Sequence, residues 1–278
     1  MCEDCGCGRP PIEPAAREHG ADHHHHDHAH DHDHHHEPHH HHDHGHDHSH
    51  EVPAGEARTV EVKKRILAHN DGLATQLRTD FTRHGVLAVN LVSSPGAGKT
   101  ELLQRTLLEL KGECAMAAVT GDLATENDAD RLSGTGTPVR QILTGTMCHL
   151  EADMVSDAIA GWDLSELDLL FIENVGNMVC PSSFDLGEGL RVMLVATTEG
   201  EDKPLKYPTL TISADVAVIN KVDLAEVVEC DLDRLERNLK EVNPGIEVIR
   251  TSARTGEGVD SWLNLLRRRA NFKATAPT

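Results

Sequence analysis

The chain has 278 residues and a formal net charge of −20, which argues against a protein that binds the nucleic-acid backbone. It has no apolar run near the ~20 residues that span a bilayer, and its first residues lack the basic start and apolar core of a signal peptide. We therefore expect a cytoplasmic protein without nucleic-acid partner or membrane insertion, whose 7 cysteines are thiols or metal ligands.

The first eight residues contain three cysteines, Cys2, Cys5 and Cys7, and two glycines that let the chain fold back. The thiolates can then converge on one ion, and thiolates suit soft or borderline metals such as Zn²⁺ and Ni²⁺. The amine of Cys2, freed by removal of the initiator Met, could add a fourth ligand, and a square-planar site of this kind favours Ni²⁺. We predict a nickel-binding motif over 1–8; the alternative is a tail whose cysteines have no role.

Residues 22–50 are a low-complexity tract in which 18 of 29 residues are His and most others are Asp. Such a segment cannot bury enough apolar surface to offset its ordering entropy, so we predict that 9–55 is disordered. Imidazole binds Ni²⁺, Zn²⁺, Cu²⁺ and Co²⁺, which indicates a metal store of low selectivity. The interleaved Asp and irregular runs disfavour an artificial tag. The longest runs are His23, His24, His25, His26, and His39, His40, His41, His42.

Apolar spacings over 56–84 predict a helical part, which Asn70-Asp71-Gly72 could divide into two helices. From 85 to 270 strands alternate with helices, which predicts an α/β domain with a mostly parallel sheet flanked by helices, and a tail over 271–278. Ligands of such sheets bind at the carboxyl ends of the strands. After a first strand near Val89, the predicted strands are Ala115–Val119, Leu167–Ile172, Arg191–Ala196, Val216–Asn220 and Glu247–Arg250; helices fit near 101–111, 150–160, 231–242 and 259–270.

The stretch Val89–Thr100 has the layout of a phosphate-binding loop between a strand and a helix. Backbone N–H groups around Gly96 and Gly98 can surround phosphate oxygens, Lys99 can reach the β and γ groups, and the hydroxyl of Thr100 can bind Mg²⁺. Ser94 and Ala97 complete the predicted nucleotide-binding loop. Ser93 stands where the general pattern has Gly, and the alternative is a simple Gly-Pro turn.

Two carboxylates follow later strands. Asp122 could hold Mg²⁺ or orient the attacking water, with Asp128 a weaker candidate; a turn and helix cap is the alternative. Glu173 ends an apolar strand three residues before Gly176, whose N–H could sense a γ-phosphate. We predict that Lys99, Asp122 and Glu173 are the catalytic residues.

Asn220-Lys221-Val222-Asp223 follows a buried strand. Asp223 can accept hydrogen bonds from the ring N–H and amino group of guanine, a donor pair that adenine lacks. Asn220 would hold the loop and a ring nitrogen, and the stem of Lys221 would cover the base. Ser252-Ala253-Arg254, after the next strand, would offer a backbone N–H to the guanine oxygen. These residues predict a GTP/GDP site.

Cys148 and His149 lie at the start of a predicted helix, and Cys180 is four residues beyond Gly176, within about 14 Å of it. Together they could form a nickel or zinc site tied mechanically to the nucleotide. The fourth ligand could be water, or the site could form across a dimer. Taken singly, the two cysteines would be buried structural thiols. Cys114 and Cys230 are expected to be packing or surface residues without a chemical role.

With these motifs the chain closely resembles the hydrogenase nickel incorporation GTPases, the HypB family. The motifs are Cys-Glu-Asp-Cys-Gly-Cys, Ser-Ser-Pro-Gly-Ala-Gly-Lys-Thr, Gly-Thr-Met-Cys-His-Leu, Glu-Asn-Val-Gly-Asn and Asn-Lys-Val-Asp. Ser93 and Glu173 are usual in that family. The resemblance implies the dimerising SIMIBI class of P-loop NTPases and slow GTP hydrolysis. It also implies nickel delivery to the large subunit of [NiFe]-hydrogenase and the zinc-containing partner chaperone HypA.

The resemblance further implies a tight nickel site at Cys2, Cys5 and Cys7. A weaker nickel or zinc site at Cys148, His149 and Cys180 would lie at a homodimer interface. Three alternatives stay open: a urease-type nickel GTPase, which typically has Cys-Pro-His at the interface motif, a protein whose main task is nickel storage, and a degenerate GTPase acting as a scaffold.

Overall fold

The computed structural model describes residues 54–123, 127–270 and 272. The predicted nickel motif with Cys2, Cys5 and Cys7 and the His tract lie outside the described residues, as does the tail over 271–278 apart from Phe272.

In the described residues, seven parallel strands form one sheet in the order β3-β2-β4-β1-β5-β6-β7. The strands are β1 Leu87–Ser93, β2 Met116–Asp122, β3 Val139–Leu143, β4 Leu169–Glu173, β5 Leu190–Ala196, β6 Val216–Asn220 and β7 Glu247–Arg250. Because all strands run the same way, their carboxyl ends form a single rim of the sheet, where ligands of this architecture bind.

Helices cover both faces of the sheet. They are α1 Ala54–His84, α2 Lys99–Glu109, α3 Asn127–Ser133, α4 Ala152–Ile159, α5 Lys203–Lys206, α6 Pro208–Ser213, α7 Leu232–Val242 and α8 Val259–Arg269. No helix in the described residues combines the length and the apolar character needed to cross a membrane.

Alternating side chains of each strand enter different cores, which is why the strands are almost wholly apolar. In β1, for example, Val89 and Leu91 pack in the core beneath α2 and α8, whereas Ala88 packs beneath α1 and α4. A third core lies beneath α6 and α7. The sheet is therefore buried on both sides, and only its rim is open to a ligand.

The predicted α/β fold is confirmed, with two corrections. The α1 helix is unbroken at 70–72, because the side chain of Asn70 makes tertiary hydrogen bonds instead of ending the helix. Its amide donates to Asp185 O at 2.8 Å and accepts from Ala152 N at 2.8 Å. Asn70 thus satisfies the first N–H of α4. The sequence prediction also omitted β3, α3, α5 and α6.

The loop before β5 touches α1 so closely that it has no room for a side chain. Gly187 has φ +76°, and a Cβ there would lie 2.7 Å from Ala74 O and 2.7 Å from Leu77 Cβ. We expect Gly187→Ala to lower the free energy of unfolding by about 3 kcal/mol or more, because it adds a backbone clash to the strain of positive φ. Urea denaturation of the full chain measures this difference.

Gly161 provides the matched control, since it has φ +82° and open space at the Cβ position. Gly161→Ala should cost only the backbone strain, about 1–2 kcal/mol. Equal costs for the two substitutions would show that the loop shifts away from α1 without penalty.

Candidate functional site

A cleft of about 800 Å³ lies along the carboxyl rim of the sheet. It gathers predicted residues from five separate loops: Gly96, Gly98, Lys99, Thr100, Asp122, Asp128, Glu173, Gly176, Asn220, Lys221, Asp223, Ser252 and Ala253. Two predicted residues do not line it. Ala97 is buried, and the hydroxyl of Ser94 contacts Met178 Sδ at 2.9 Å.

The phosphate loop turns through two glycines with positive φ, Gly96 at +74° and Gly98 at +98°. A Cβ on Gly98 would lie 2.5 Å from the amide nitrogen of Asn220, so this position also requires the absence of a side chain. Lys99 is buried, its Nζ donates to Ser93 Oγ at 2.9 Å, and burial lowers the pKa of Lys99. Ser93, the departure from the general pattern, therefore positions the lysine.

The carboxylate of Glu173 lies beside the start of α2. Its Oε1 accepts from Thr100 Oγ1 at 2.7 Å, while its Oε2 is buried with no hydrogen-bond partner among the described residues. Burial raises the pKa of Glu173 to about 7, against the opposing charge of Lys99. Together with Asp122, which also lines the cleft, these hard oxygen donors suit Mg²⁺.

The raised pKa of Glu173 predicts an unusual pH dependence of stability in the nucleotide-free protein. Between about 4.5 and about 7 the native state holds a proton that the unfolded chain has released, so the free energy of unfolding falls as pH rises. We expect Glu173→Gln, which keeps an acceptor for Thr100 but cannot titrate, to be progressively more stable than the parent across this window. The gain should reach the order of 3 kcal/mol.

Urea denaturation in the presence of a metal chelator, at pH values on either side of the window, measures this gain. Taking the difference between the two proteins cancels the titration of other groups, including His149. A difference that does not change with pH would contradict the assignment of the raised pKa to Glu173.

Asn220 ties the base side of the cleft to the phosphate loop. Its amide donates to Ala97 O at 2.9 Å and accepts from Ala253 N at 3.2 Å, while Lys221 Nζ donates to Gly96 O at 2.6 Å. The backbone N–H groups of Ser252 and Ala253, expected near a guanine oxygen, both make hydrogen bonds within the loop. Ser252 N donates to Glu257 O and Ala253 N to Asn220, so both groups hold the loop.

The structure brings Cys148, His149 and Cys180 together. Their potential ligand atoms all lie within 4.8 Å of one another, and the two Sγ atoms are 3.0 Å apart. Helix α4 begins only at Ala152, so Cys148 and His149 lie in the turn before it rather than at its start. This turn is where the cluster faces the segment that follows β4.

The ring of His149 is fixed from two directions. Its Nε2 lies 3.3 Å from Glu151 Oε1, and Phe184 stacks on it with centroids 3.9 Å apart. Burial lowers the pKa of His149, partly opposed by Glu151. The buried Nδ1 has no hydrogen-bond partner among the described residues, so a lone pair is available for a metal ion in the neutral ring.

Two backbone segments connect the Cys148, His149 and Cys180 cluster with the cleft. The chain from Glu173 to Cys180 leads directly from one to the other, and Gly176 packs against Pro95 of the phosphate loop, where a Cβ would lie 3.0 Å from Pro95 Cα. On the other side, Thr144 N donates to Asp122 O at 3.0 Å just before the Cys148 turn. A change at the phosphates therefore has two short paths to the cluster.

Three polar residues of the cleft were given no role from the sequence, namely Glu101, Arg131 and Asn174. Arg131 pairs with Glu101, and its signal would have been a basic side chain one turn beyond Asp128 on α3. Asn174 belongs to the Glu-Asn-Val-Gly-Asn motif of the family resemblance, but its residue type alone indicates no role. The thiol of Cys114 is an ordinary packing group: it is buried, and burial raises the pKa of Cys114 to about 12.

Residues 87–250 match the family model described as "CobW/HypB/UreG, nucleotide-binding domain". This match covers more than half of the chain, and it agrees with a parallel sheet whose open rim carries a phosphate loop. The fold and the cleft therefore belong to a nucleotide-binding protein of the CobW/HypB/UreG family.

Comparison with individual proteins identifies the group within this family to which the chain belongs. The hydrogenase maturation factor HypB of Escherichia coli (strain K12) is 48% identical over 211 residues, covering 76% of this chain and 73% of its own length. That of Rhizobium leguminosarum bv. viciae is 44% identical and covers 95% of this chain and 96% of its own. The crystal structure of HypB from Helicobacter pylori in complex with nickel matches with a TM-score of 0.68 at 34% identity, covering 76% and 100% of the respective chains. The chain belongs to the HypB hydrogenase maturation factors.

Proposed function

We propose that this protein is a GTP-hydrolysing nickel metallochaperone that delivers nickel to the large subunit of [NiFe]-hydrogenase. One observation carries the proposal: the Cys148, His149 and Cys180 cluster is joined to the nucleotide cleft by the segment from Glu173 to Cys180. A thiolate and imidazole site suits Ni²⁺ as cargo, and the cleft next to it supplies a switch that can time its release. The nickel bound to the H. pylori relative supports the choice of metal.

Hydrolysis moves the γ-phosphoryl group from GTP to water. The water oxygen bonds to the γ-phosphorus as the bond from phosphorus to the β–γ bridging oxygen breaks, and GDP and phosphate leave. The protein's main task in this reaction is positioning and neutralising charge. Lys99, whose Nζ donates to Ser93, would face the phosphates, and Asp122, which lines the cleft, would orient the attacking water.

The implied Mg²⁺ fits the oxygen donors of the cleft. Thr100, Asp122 and Glu173 would hold it, consistent with the unpartnered Oε2 of Glu173. When bound, the ion neutralises charge on the β and γ oxygens. The hydroxyl oxygen of Thr100 would bind the ion through a lone pair while its hydrogen still donates to Glu173, so this hydrogen bond is compatible with the ion.

Nickel is handled as cargo in three places. Cys2, Cys5 and Cys7 would form the tight site, the His tract over 22–50 a store, and the Cys148 cluster a weaker nickel or zinc site that GTP reshapes as two copies of the chain associate. The partner HypA, a zinc-containing chaperone, and the hydrogenase large subunit would receive or pass on the ion.

The coupling between nucleotide and metal is the testable core of this function. Linkage requires that nickel alter nucleotide affinity by the same factor by which nucleotide alters nickel affinity. We expect the full chain to differ in Ni²⁺ affinity between its GDP and GTP-analogue forms, and Cys148→Ala to abolish that difference. Equal Ni²⁺ affinities in the GDP and GTP-analogue forms would contradict the proposal.

Cellular tests separate delivery from storage. Deleting 22–50 should lower metal capacity and nickel tolerance while hydrogenase maturation continues in ample nickel. Loss of hydrogenase activity under that condition would mean that the tract takes part in insertion itself. Deleting the whole gene should stop hydrogenase maturation; failure of urease alone would favour a urease-type GTPase instead.

A further inference from the structure

The segment between the two sites holds the turn around His149 at two points. The side chain of Asn174 accepts from Leu150 N at 3.2 Å, and the side chain of Asn177 donates to Cys148 O at 3.2 Å. These are the backbone groups that immediately flank His149. We propose that Asn174 and Asn177 form a clamp, here called the asparagine clamp, which transmits nucleotide state to the metal ligand His149.

One end of the asparagine clamp is anchored in the sheet. Asn174 is buried, its backbone N donates to Leu91 O at 3.0 Å, and its side-chain amide lies 3.4 Å from Asn90 Oδ1. Asn90 in turn donates to Glu188, which is buried and paired with Arg191. Asn174 therefore cannot move without disturbing β1 and β5, and it fixes the Leu150 side of the turn.

The other end lies beyond the contact with the phosphate loop. Gly176 packs on Pro95, and Asn177 follows it directly, partly exposed and held locally by a hydrogen bond from Val179 N to its Oδ1 at 2.9 Å. A displacement of Gly176 by a γ-phosphate would carry Asn177 with it. The Cys148 carbonyl would then move relative to the anchored Leu150 N–H, which rotates the peptide groups on both sides of His149.

Asn174 and Asn177 are thus positioning residues: although Asn174 also lines the cleft, both act on His149 through the backbone of the ligand turn. This inference rests on the proposed function, since it explains how the cleft and the cluster are coupled. It goes further by assigning the coupling to two side-chain hydrogen bonds. Asn174 stays fixed, and Asn177 is the residue that moves with the nucleotide state.

The test compares metal affinity in two nucleotide states. The parent protein is the full chain carrying Cys2→Ala, Cys5→Ala and Cys7→Ala, so that Co²⁺ thiolate absorption reports on the Cys148 cluster and not on the N-terminal motif. Co²⁺ is titrated against a chelator in the presence of GDP or a non-hydrolysable GTP analogue. The ratio of the two affinities is the coupling factor, for which about 5–150-fold is typical of coupled sites.

We expect Asn177→Ala to bring the coupling factor to within about twofold of one, while the cluster still binds Co²⁺ and the cleft still binds both nucleotides. Asn177→Asp keeps the acceptor for Val179 N but cannot donate to Cys148 O, so it should uncouple the sites to the same degree. Asn238→Ala is the matched control, because it removes a similar side-chain bond, to Glu201 O at 2.7 Å, away from both sites. It should leave the factor unchanged.

Other outcomes overturn the proposal in distinguishable ways. A parent with a coupling factor of one would overturn the proposed coupling and the asparagine clamp together. A parent that couples while Asn177→Ala couples equally well would overturn the clamp alone, and the proposed function would stand. Uncoupling by Asn177→Ala but not by Asn177→Asp would assign the effect to the local bond with Val179 and reject the clamp.

Discussion

Lys99→Ala is expected to lower single-turnover GTP hydrolysis by at least about 10²–10³-fold, the cost of removing one preorganised charge from a phosphoryl-transfer site. Lys99 is nearly enclosed, with only Ser93 as its hydrogen-bond partner in the described residues, and burial lowers its pKa. The nucleotide phosphates would provide the anionic partner that this buried ammonium group lacks. Nucleotide affinity should fall as well, because the ground state loses the same contact.

Lys111→Ala is the matched control for this substitution. Lys111 also donates a hydrogen bond, to Thr135 O at 2.8 Å, but it is exposed and lies outside the cleft. It should hydrolyse GTP at the parental rate. Hydrolysis that survives Lys99→Ala would contradict the catalytic assignment, and hydrogenase maturation that survives it would favour a scaffold over a GTPase switch.

The parts of the fold that the sequence predicted well are those with a continuous apolar run. The bounds of β6 and β7 agree with the prediction, and β4 and β5 differ by one or two residues, because strands buried on both faces show their apolar character along their whole length. The phosphate loop and Asp223 were recognisable for a different reason. Their chemistry requires particular residue types at fixed spacing, which a single sequence displays.

The elements that escaped prediction lack such a signal. The edge strand β3 is only partly buried and reads Val-Arg-Gln-Ile-Leu, so neither an apolar run nor strict alternation marks it. The unbroken α1 could not be foreseen, because Asn70 acts through tertiary hydrogen bonds to Ala152 and Asp185. Local propensity favoured a break there, and distant contacts override it.

The same distinction holds within the candidate site. Cys148, His149 and Cys180 were predicted as a group because thiols and imidazole are chemically distinctive. The supporting role of Phe184, Asn174 and Asn177 was not predicted, although both asparagines belong to the Glu-Asn-Val-Gly-Asn motif, because ring stacking and hydrogen bonds to backbone do not require distinctive residue types. A ligand set is thus readable from sequence, whereas its connection to the nucleotide required the structure.

Asp223→Asn is expected to weaken GTP binding by about 10²–10³-fold and to improve binding of XTP. Asp223 lines the cleft just beyond Asn220 and Lys221, which are fixed to the phosphate loop, so a base held there would meet its carboxylate. The carboxylate would accept from both the ring N–H and the amino group of guanine. Charge-assisted bonds of this kind contribute about 1.5–3 kcal/mol each, and an asparagine amide can replace only one of them.

Xanthine carries a carbonyl oxygen in place of the guanine amino group, so it repels the parental carboxylate but accepts a hydrogen bond from the amide of the variant. Inosine lacks any substituent there; the parent should therefore bind ITP more weakly than GTP, and Asp223→Asn should nearly equalise the two. Competition binding with GTP, ITP and XTP measures the order of affinities in each protein.

Glu226→Gln, which removes the same charge from an exposed position outside the cleft, should preserve the parental order of affinities. Loss of affinity for all three nucleotides in Asp223→Asn would mean that the side chain supports the loop rather than reads the base, whereas a reversal of order between GTP and XTP can arise only from direct contact with the purine edge.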